Sequence, residues 1–254
     1  MDEPPFCLCI AGPNGSGKST ITKSLRNKHQ LTNWIDPDVI AAETAATACS
    51  DVTPRISACA MIRARELRVL YAKGRQDFAF ETVFSHGSNV AFLKILRALG
   101  YRVFLYFVCT ESPQINVARV QQRVERGGHN VEPDKIFSRY VRSLECLELA
   151  ITVAERTFLF DNSKQTTGVR NQMGRLVGDY HNVSITPELR LWAPVPSWTV
   201  WNAVNPLSAG WMFDGDPAIV EEAAFDICEG QDPIEAALAA LDTQMAELRK
   251  VFQP

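Results

Sequence analysis

The chain has 254 residues, 46% hydrophobic and 22% charged, enough for one sizeable core with room for a second small lobe. A formal net charge of −3 argues against broad capture of DNA or RNA, so long nucleic acid is disfavoured as a partner. Seven scattered cysteines without metal-ligand spacing, an acidic N-terminus without a Sec-type signal and the lack of a membrane-length apolar run lead to the expectation of a cytoplasmic protein with reduced thiols.

Phe6–Ala11 is a short apolar run suited to a buried strand, with Cys7-x-Cys9 inside its alternation. It feeds the loop G-P-N-G-S-G-K-S-T at 12–20, and 19–28 continues as a helix. Trp34-Ile35 reads as a second short strand closed by the turn Asp36-Pro37-Asp38. Residues 54–72 form a long helical stretch and 77–81 a third strand. The amphipathic 89–99 ends at Gly100, a helix C-cap. Arg102–Cys109 is almost wholly apolar, as in a central strand buried on both faces. Helices at 113–126 and 133–154 precede a last strand at 157–160, which ends in Asp161-Asn162. Strand and helix in alternation predict an α/β fold: a P-loop-type parallel sheet flanked by helices on both faces.

The character changes near residue 185, and the expected organisation is a P-loop domain over 1–185 and a Trp/Pro-rich segment plus helical hairpin packed on the core over 186–254. Pro187, Pro194, Pro196 and Pro206 punctuate that segment, which also holds Trp192, Trp198, Trp201 and Trp211. Asp216-Pro217 opens a helix predicted to close at Gly230, and Asp232-Pro233 opens the next, each with Asp as N-cap and Pro at the first position. In that last helix Ile234, Leu238, Leu241, Met245, Leu248 and Phe252 make an apolar seam. Such a seam serves either packing on its own domain or a partner, including a second copy of the chain.

Gly12-x4-Gly17-Lys18-Ser19 satisfies the Walker A pattern between a strand and a helix. Its glycines turn successive backbone N–H groups toward phosphates, and the helix beginning at Lys18 adds its positive dipole end. Gly12, Asn14, Gly15, Ser16, Gly17, Lys18, Ser19 and Thr20 are therefore the expected ATP contacts. Lys18 would reach the β- and γ-phosphates and the Ser19 hydroxyl would ligate Mg²⁺.

Asp36 and Asp38 follow the second strand on the same sheet edge, near the γ-phosphate. Asp38 is the candidate base, taking the proton of an attacking hydroxyl and touching the metal shell, with plain helix capping as its alternative. Asp36 either meets the substrate or caps the helix. Glu81-Thr82, ending the third strand, suits either gripping a polar substrate or a structural hydrogen bond. Arg119, Arg123 and Arg126 share one helix face, Gly127-Gly128 and His129 form a turn, and Arg139 and Arg142 follow on the next helix. Two basic faces flanking Gly-Gly predict a lid over phosphates, spanning about 117–142, with a solvated basic face as the rival reading. Asn162 either lines the adenine pocket or serves the turn.

Together G-P-N-G-S-G-K-S-T, I-D-P-D, F-E-T-V-F-S, R-V-x-x-R-V-x-x-G-G-H-x-V, R-Y-x-R-S-L and F-D-N-S resemble the zeta-toxin-like kinases over roughly residues 6–165. The resemblance implies a polynucleotide-kinase-type P-loop fold using ATP and Mg²⁺. It implies transfer of the γ-phosphoryl group to the sugar 3′-hydroxyl of a nucleotide-sugar such as UDP-N-acetylglucosamine, and control by an antitoxin protein. It makes Lys18 and Ser19 the phosphate and metal residues, Asp38 the base, Glu81 and Thr82 part of the substrate site, and Arg123, with Arg126 or Arg139, the charge stabilisers. A related branch phosphorylates the adenosine ribose of NAD, so the acceptor stays open among a nucleotide-sugar, NAD, a nucleoside and an RNA end. A nucleotide-dependent binding module without turnover is the remaining alternative. The lid resembles the family's shorter branch, and the Trp-rich C-terminal region has no counterpart in it.

Overall fold

The computed structural model describes residues 3–28, 31–128, 130–164, 174–182, 188–192, 194–199, 202, 216–227 and 230–250. The elements in chain order are β1 (Phe6–Ala11), α1 (Lys18–Lys28), β2 (Trp34–Ile35), α2 (Pro37–Thr47), α3 (Pro54–Lys73), β3 (Phe78–Thr82), α4 (Ser88–Ala98), β4 (Arg102–Cys109), α5 (Pro113–Glu125), α6 (Pro133–Ala150), β5 (Arg156–Asp161), β6 (Arg175–His181), β7 (Glu188–Leu191), the single turn α7 (Ser197–Thr199), α8 (Pro217–Glu222) and α9 (Pro233–Lys250).

The strands form one sheet in the order β2-β3-β1-β4-β5-β6-β7. The first five pair in parallel, as alternating strands and helices predict, while β6 and β7 continue the sheet antiparallel. The sheet thus runs across residue 185, where composition shifts. β1 sits between β3 and β4, so the chain leaves it at the point where successive connections diverge to opposite sides, the usual place for a ligand crevice.

Alternation along β1 builds the two cores. Cys7, Cys9 and Ala11 face a large cluster with side chains from α3, α4, α6 and α9, whereas Leu8 and Ile10 face Ile21 and Leu25 of α1. Both cysteines are fully buried, and burial pushes their thiols well up, so they act as small apolar fillers. The buried Tyr101 hydroxyl lies 3.0 and 2.9 Å from the carbonyl oxygens of Tyr71 and Gln76, a single donor shared between acceptors at and just after the end of α3. Helix starts are set by side-chain caps. Asp36 accepts from Asp38 N, Thr53 from Ile56 N, Asp216 from Ala218 N and Asp232 from Ile234 N.

The C-terminal helices pack on the sheet domain. Asp216-Pro217 opens a helix that ends at Glu222, well short of Gly230. Six residues bury little apolar surface, but Ile219 is completely enclosed against the Gly87 turn. The seam of α9 divides: Leu241 is buried, Leu238 and Met245 lean on the large core, and Ile234 is 48% exposed. Leu248 is buried and Phe252 lies outside the described residues. Own-domain packing is thus the seam's observed use, against α3 and α4, with an ion pair from Lys73 to Asp242 alongside. Trp198 is buried against Phe107, while Trp201, Trp211, Pro187, Pro206 and Cys228 lie outside the described residues.

Candidate active site

The loop after β1 needs three glycines for three reasons. Gly12, at φ 141°, has the Val108 carbonyl oxygen 2.0 Å from where a Cβ would stand. Gly15, at φ 76°, meets the Asn116 carbonyl at 2.6 Å, and Gly17, at φ 98°, meets Asn162 Nδ2 at 2.1 Å. Neighbouring backbone therefore abuts the loop at two glycines and a side chain at the third, which only glycine permits. Lys18 Nζ donates to the carbonyls of Gly12 and Pro13 at 2.8 and 3.0 Å, arching across the loop.

Three polar side chains brace this loop. Asn162 Nδ2 donates to the Ser16 carbonyl at 2.8 Å. Asn116, completely buried on α5, donates to the Asn14 carbonyl at 2.7 Å and accepts from the Thr110 hydroxyl. Tyr140 of α6 in turn donates its hydroxyl to the Thr110 carbonyl at 2.6 Å. Asn162, one of the expected nucleotide contacts, thus has its amide committed to the loop backbone while it also lines the cavity. Sequence reasoning missed Asn116. An asparagine inside a helical pattern that carries apolar residues at 117, 120 and 124 was the available signal.

The acidic side of the site is built at the ends of β2 and β3. Glu81 accepts from Ser19 Oγ at 3.1 Å and from Thr22 Oγ1 at 2.8 Å, bringing the third strand onto the residue expected to ligate Mg²⁺. Burial raises the Glu81 carboxyl above its ordinary range, against the opposing pull of Lys18. Burial likewise lowers Lys18, which Glu81 and Asp38 draw back up. Burial also raises the Asp36 carboxyl, against the backbone N–H of Asp38 that it accepts at 3.0 Å. Asp38 is exposed and lines the cavity. Among the described residues no group of three or more His, Cys, Asp or Glu could hold a metal. The Ser19 hydroxyl with carboxylates at Asp38 and Glu81 is an all-oxygen set, which suits Mg²⁺ carried in with nucleotide phosphates.

These groups line a cavity of about 790 Å³. Of the expected lid arginines, Arg119, Arg123 and Arg139 line it. Arg139 donates to Asn14 Oδ1 at 3.3 Å and Arg119 to the Ser163 carbonyl at 3.4 Å. Two arginines of the predicted lid differ. Arg126 is exposed at the C-terminal end of α5 and does not line the cavity. Seven residues beyond Arg119 it shares the helical face but stands about 10 Å further along the axis. Arg142 points into the fold instead, donating to the Ser85 carbonyl at 3.0 Å and pairing with Asp216 at 2.7 Å and Glu222 at 3.1 Å. Gly127, at φ 83°, makes the expected turn, and His129 lies outside the described residues.

Beyond Glu81, Thr82 lines the cavity together with Ser85, His86 and Asn89. One face of α3 closes the far side with Met61, Arg65 and Arg68. These α3 residues carry no motif, and the long helix read from sequence gave no sign of which face would meet the site.

The AAA_33 family, an AAA domain, matches residues 8–146, more than half the chain. An uncharacterized protein of Haemophilus influenzae is 31% identical over 134 residues, which is 52% of this chain and 91% of that protein. Among solved structures, AvrRxo1-ORF1:AvrRxo1-ORF2 with sulphate ions aligns over 97% of this chain and 80% of that chain, with 13% identity and a TM-score of 0.59. The same complex with ATP gives 14% identity, the same coverage and a TM-score of 0.57. The PezAT toxin–antitoxin system of Streptococcus pneumoniae aligns over 98% and 89% of the two chains at 14% identity, with a TM-score of 0.49. The chain therefore belongs to the AAA_33 family, with the P-loop domain of the zeta-toxin-like kinases that its motifs resemble.

Proposed function

We propose that this protein is an ATP- and Mg²⁺-dependent kinase that transfers the γ-phosphoryl group to a sugar hydroxyl of a nucleotide-sugar, UDP-N-acetylglucosamine being the first candidate. The observation that carries this reading is one cavity lined by the glycine loop with Lys18, by Asp36, Asp38 and Glu81, and by Arg119, Arg123 and Arg139. The cavity's size suits a nucleotide and a second molecule of similar kind.

In this reading Lys18 leaves the Gly12 and Pro13 carbonyls for the β- and γ-phosphate oxygens, and the loop N–H groups hold the rest of the triphosphate. Ser19 Oγ and the carboxylates beside it would be the oxygen donors for Mg²⁺, which would supply neutralisation of the phosphate charge. Asp38 accepts the proton from the acceptor hydroxyl as that oxygen approaches the γ-phosphorus. Glu81 holds Ser19 and Thr22 in place, so its part is on the metal side of the reaction. Arg123 and Arg139 face the equatorial oxygens of the transferred group, where charge spreads in the transition state. Arg119 orients the nucleotide.

The two-chain AvrRxo1-ORF1:AvrRxo1-ORF2 complex, together with the resemblance of the motifs to the zeta-toxin-like kinases, motivates a protein partner, an antitoxin that covers the nucleotide groove. The test is purified protein with Mg²⁺ and γ-labelled ATP against UDP-N-acetylglucosamine, other nucleotide-sugars, NAD and short RNA, beside Asp38→Asn. Label on a nucleotide-sugar that vanishes in Asp38→Asn is the expected result. Label on NAD or RNA alone would overturn the acceptor, and no label with ATP bound would overturn the kinase.

A further inference from the structure

The cavity carries its charges in three zones. Lys18, Arg123 and Arg139 surround the glycine loop, and the carboxylates of Asp36, Asp38 and Glu81 lie next to it. A second cationic zone comes from α3, where Arg65 and Arg68 stand three residues apart on the face that lines the cavity. One triphosphate needs only the first of these zones.

Arg68 is partly buried with its guanidinium stacked on two aromatic rings, 4.8 Å from the Phe80 centroid and 5.4 Å from that of Phe92. Its hydrogen bond goes to a neutral acceptor, Asn89 Oδ1, at 3.3 Å. No carboxylate among the described residues pairs with it, whereas Arg102 and Arg156 each have one and Arg142 has two. Its neighbour in charge is another cation, Arg65, and burial together with that cation lowers the guanidinium to about 10. It remains protonated at neutral pH. A desolvated cation beside a like charge is unfavourable in the fold alone. Planar guanidinium donors held on aromatic rings are suited to the oxygens of a phosphate. Asn89 Oδ1 also lies 3.5 Å from the Thr82 hydroxyl, so the α3 zone is joined to the acceptor side of β3.

We infer that the α3 face is an anion subsite for the acceptor: Arg68, with Arg65 beside it, takes a phosphate group that the acceptor itself carries. The inference rests on the kinase reading for the word acceptor, and it selects phosphorylated or nucleotide-type acceptors over free sugars and nucleosides. It places the acceptor's anion on α3 and the ATP phosphates on the glycine loop, with the carboxylates of β2 and β3 between them.

The test requires no turnover. Protein saturated with the fluorescent non-hydrolysable nucleotide mant-AMPPNP and Mg²⁺ is titrated with inorganic pyrophosphate at matched Mg²⁺, by calorimetry, while mant fluorescence reports whether the nucleotide stays bound. The expected result is one further equivalent of pyrophosphate with the nucleotide retained, affinity at least tenfold lower in Arg68→Met, and partial recovery in Arg68→Lys. Ligand-free Arg68→Met melts no lower than the wild type. The exposed Arg65→Gln, which leaves the packing untouched, weakens pyrophosphate severalfold and keeps the test valid should Arg68→Met misfold. Displacement of the nucleotide, no binding, or equal affinity in the Arg68 and Arg65 variants would overturn the inference. Arg68-dependent binding in a protein that labels no acceptor would leave the subsite standing and remove the kinase reading. Labelling of an acceptor with an unchanged acceptor KM in Arg68→Met would do the reverse.

Discussion

Asn116→Ala removes a side chain that ties α5 to the glycine loop. Asn116 is completely enclosed, donating to the Asn14 carbonyl at 2.7 Å and accepting from Thr110. The Thr110 hydroxyl has a second acceptor, the Ser112 carbonyl at 3.0 Å, so its loss is partly made good. The Asn14 carbonyl loses its partner outright, which costs about 1–3 kcal/mol. The void left by the amide adds about 1 kcal/mol. The expected destabilisation is therefore roughly 2–4 kcal/mol, read by urea denaturation at pH 7 with linear extrapolation. The loop also loses the contact that fixes Asn14, whose side chain accepts from Arg139, and ATP affinity falls about tenfold, equivalent to about 1.4 kcal/mol. Asn116→Asp separates donor from volume. It fills the site and still accepts from Thr110, but it presents a carboxylate oxygen to the Asn14 carbonyl, and it is destabilised at least as much as the alanine variant. Stability within about 0.5 kcal/mol of wild type and unchanged mant-ATP affinity in Asn116→Ala would refute the brace.

Gly12→Ala places a methyl group 2.0 Å from the Val108 carbonyl at a φ of 141°, and it is expected to abolish measurable mant-ATP binding. Glu81→Gln tests the buried carboxyl through pH. Because its folded pKa is raised, the folded state binds more protons than the unfolded one between the ordinary glutamate range and the raised value, so Glu81 makes wild-type stability fall as pH rises through that window. Urea midpoints measured from pH 4 to 7 should show a shallower fall in Glu81→Gln, and an unchanged slope would argue against a buried, strained carboxylate. Arg142→Met breaks two partly exposed ion pairs and the bond to the Ser85 carbonyl, costing about 2 kcal/mol. Calorimetry should show this as a drop of about 4–8 °C in Tm, consistent with a domain of this size.

What was legible in the sequence was whatever depends on local pattern. The glycine loop, the Asp-Pro helix starts and the apolar run of β4 each announce themselves within a few residues, and the alternation of strands with helices marks the parallel part of the sheet, though not its strand order. β6 escaped because Arg175–His181 mixes Gly178, Asp179 and Arg175 with few apolar residues, and its place is set by pairing to β5 rather than by its own alternation. The arginines of the predicted lid show the same division. Helical periodicity correctly grouped Arg119 and Arg123, but periodicity has no axial coordinate and could not separate Arg126 from them. Arg142 has the same spacing from Arg139 that lid partners would have, yet its carboxylates lie 74 and 80 residues further on. No local pattern carries that information. Arg65 and Arg68 were invisible for a further reason: an arginine pair on a long helix is ordinary until the sheet edge shows which face meets the cavity.

The exit of β3 explains why Arg142 serves the fold while Arg139, three residues earlier, faces the site. Phe84 is fully buried yet holds φ 61°, a conformation that costs a bulky residue about 1–2 kcal/mol. Such a residue persists only where its surroundings over-determine it. Here they do. Phe84 N donates to Thr82 Oγ1 at 3.2 Å, Ser143 of α6 donates to the Val83 carbonyl, and Arg142 donates to that of Ser85. Glu222 of α8 accepts from Gly87 N at 2.7 Å, and a Cβ on Gly87 would stand 2.3 Å from the Ile219 carbonyl. Three peptide groups of the segment are gripped from α6 or α8, and the effect is a sharp bend that turns Thr82, Ser85 and His86 into the cavity. α8 never reaches the cavity through its own side chains. It acts by holding Arg142 through Asp216 and Glu222, and so α8 contributes to the cavity by fixing the 82–87 loop rather than by adding a residue to its lining.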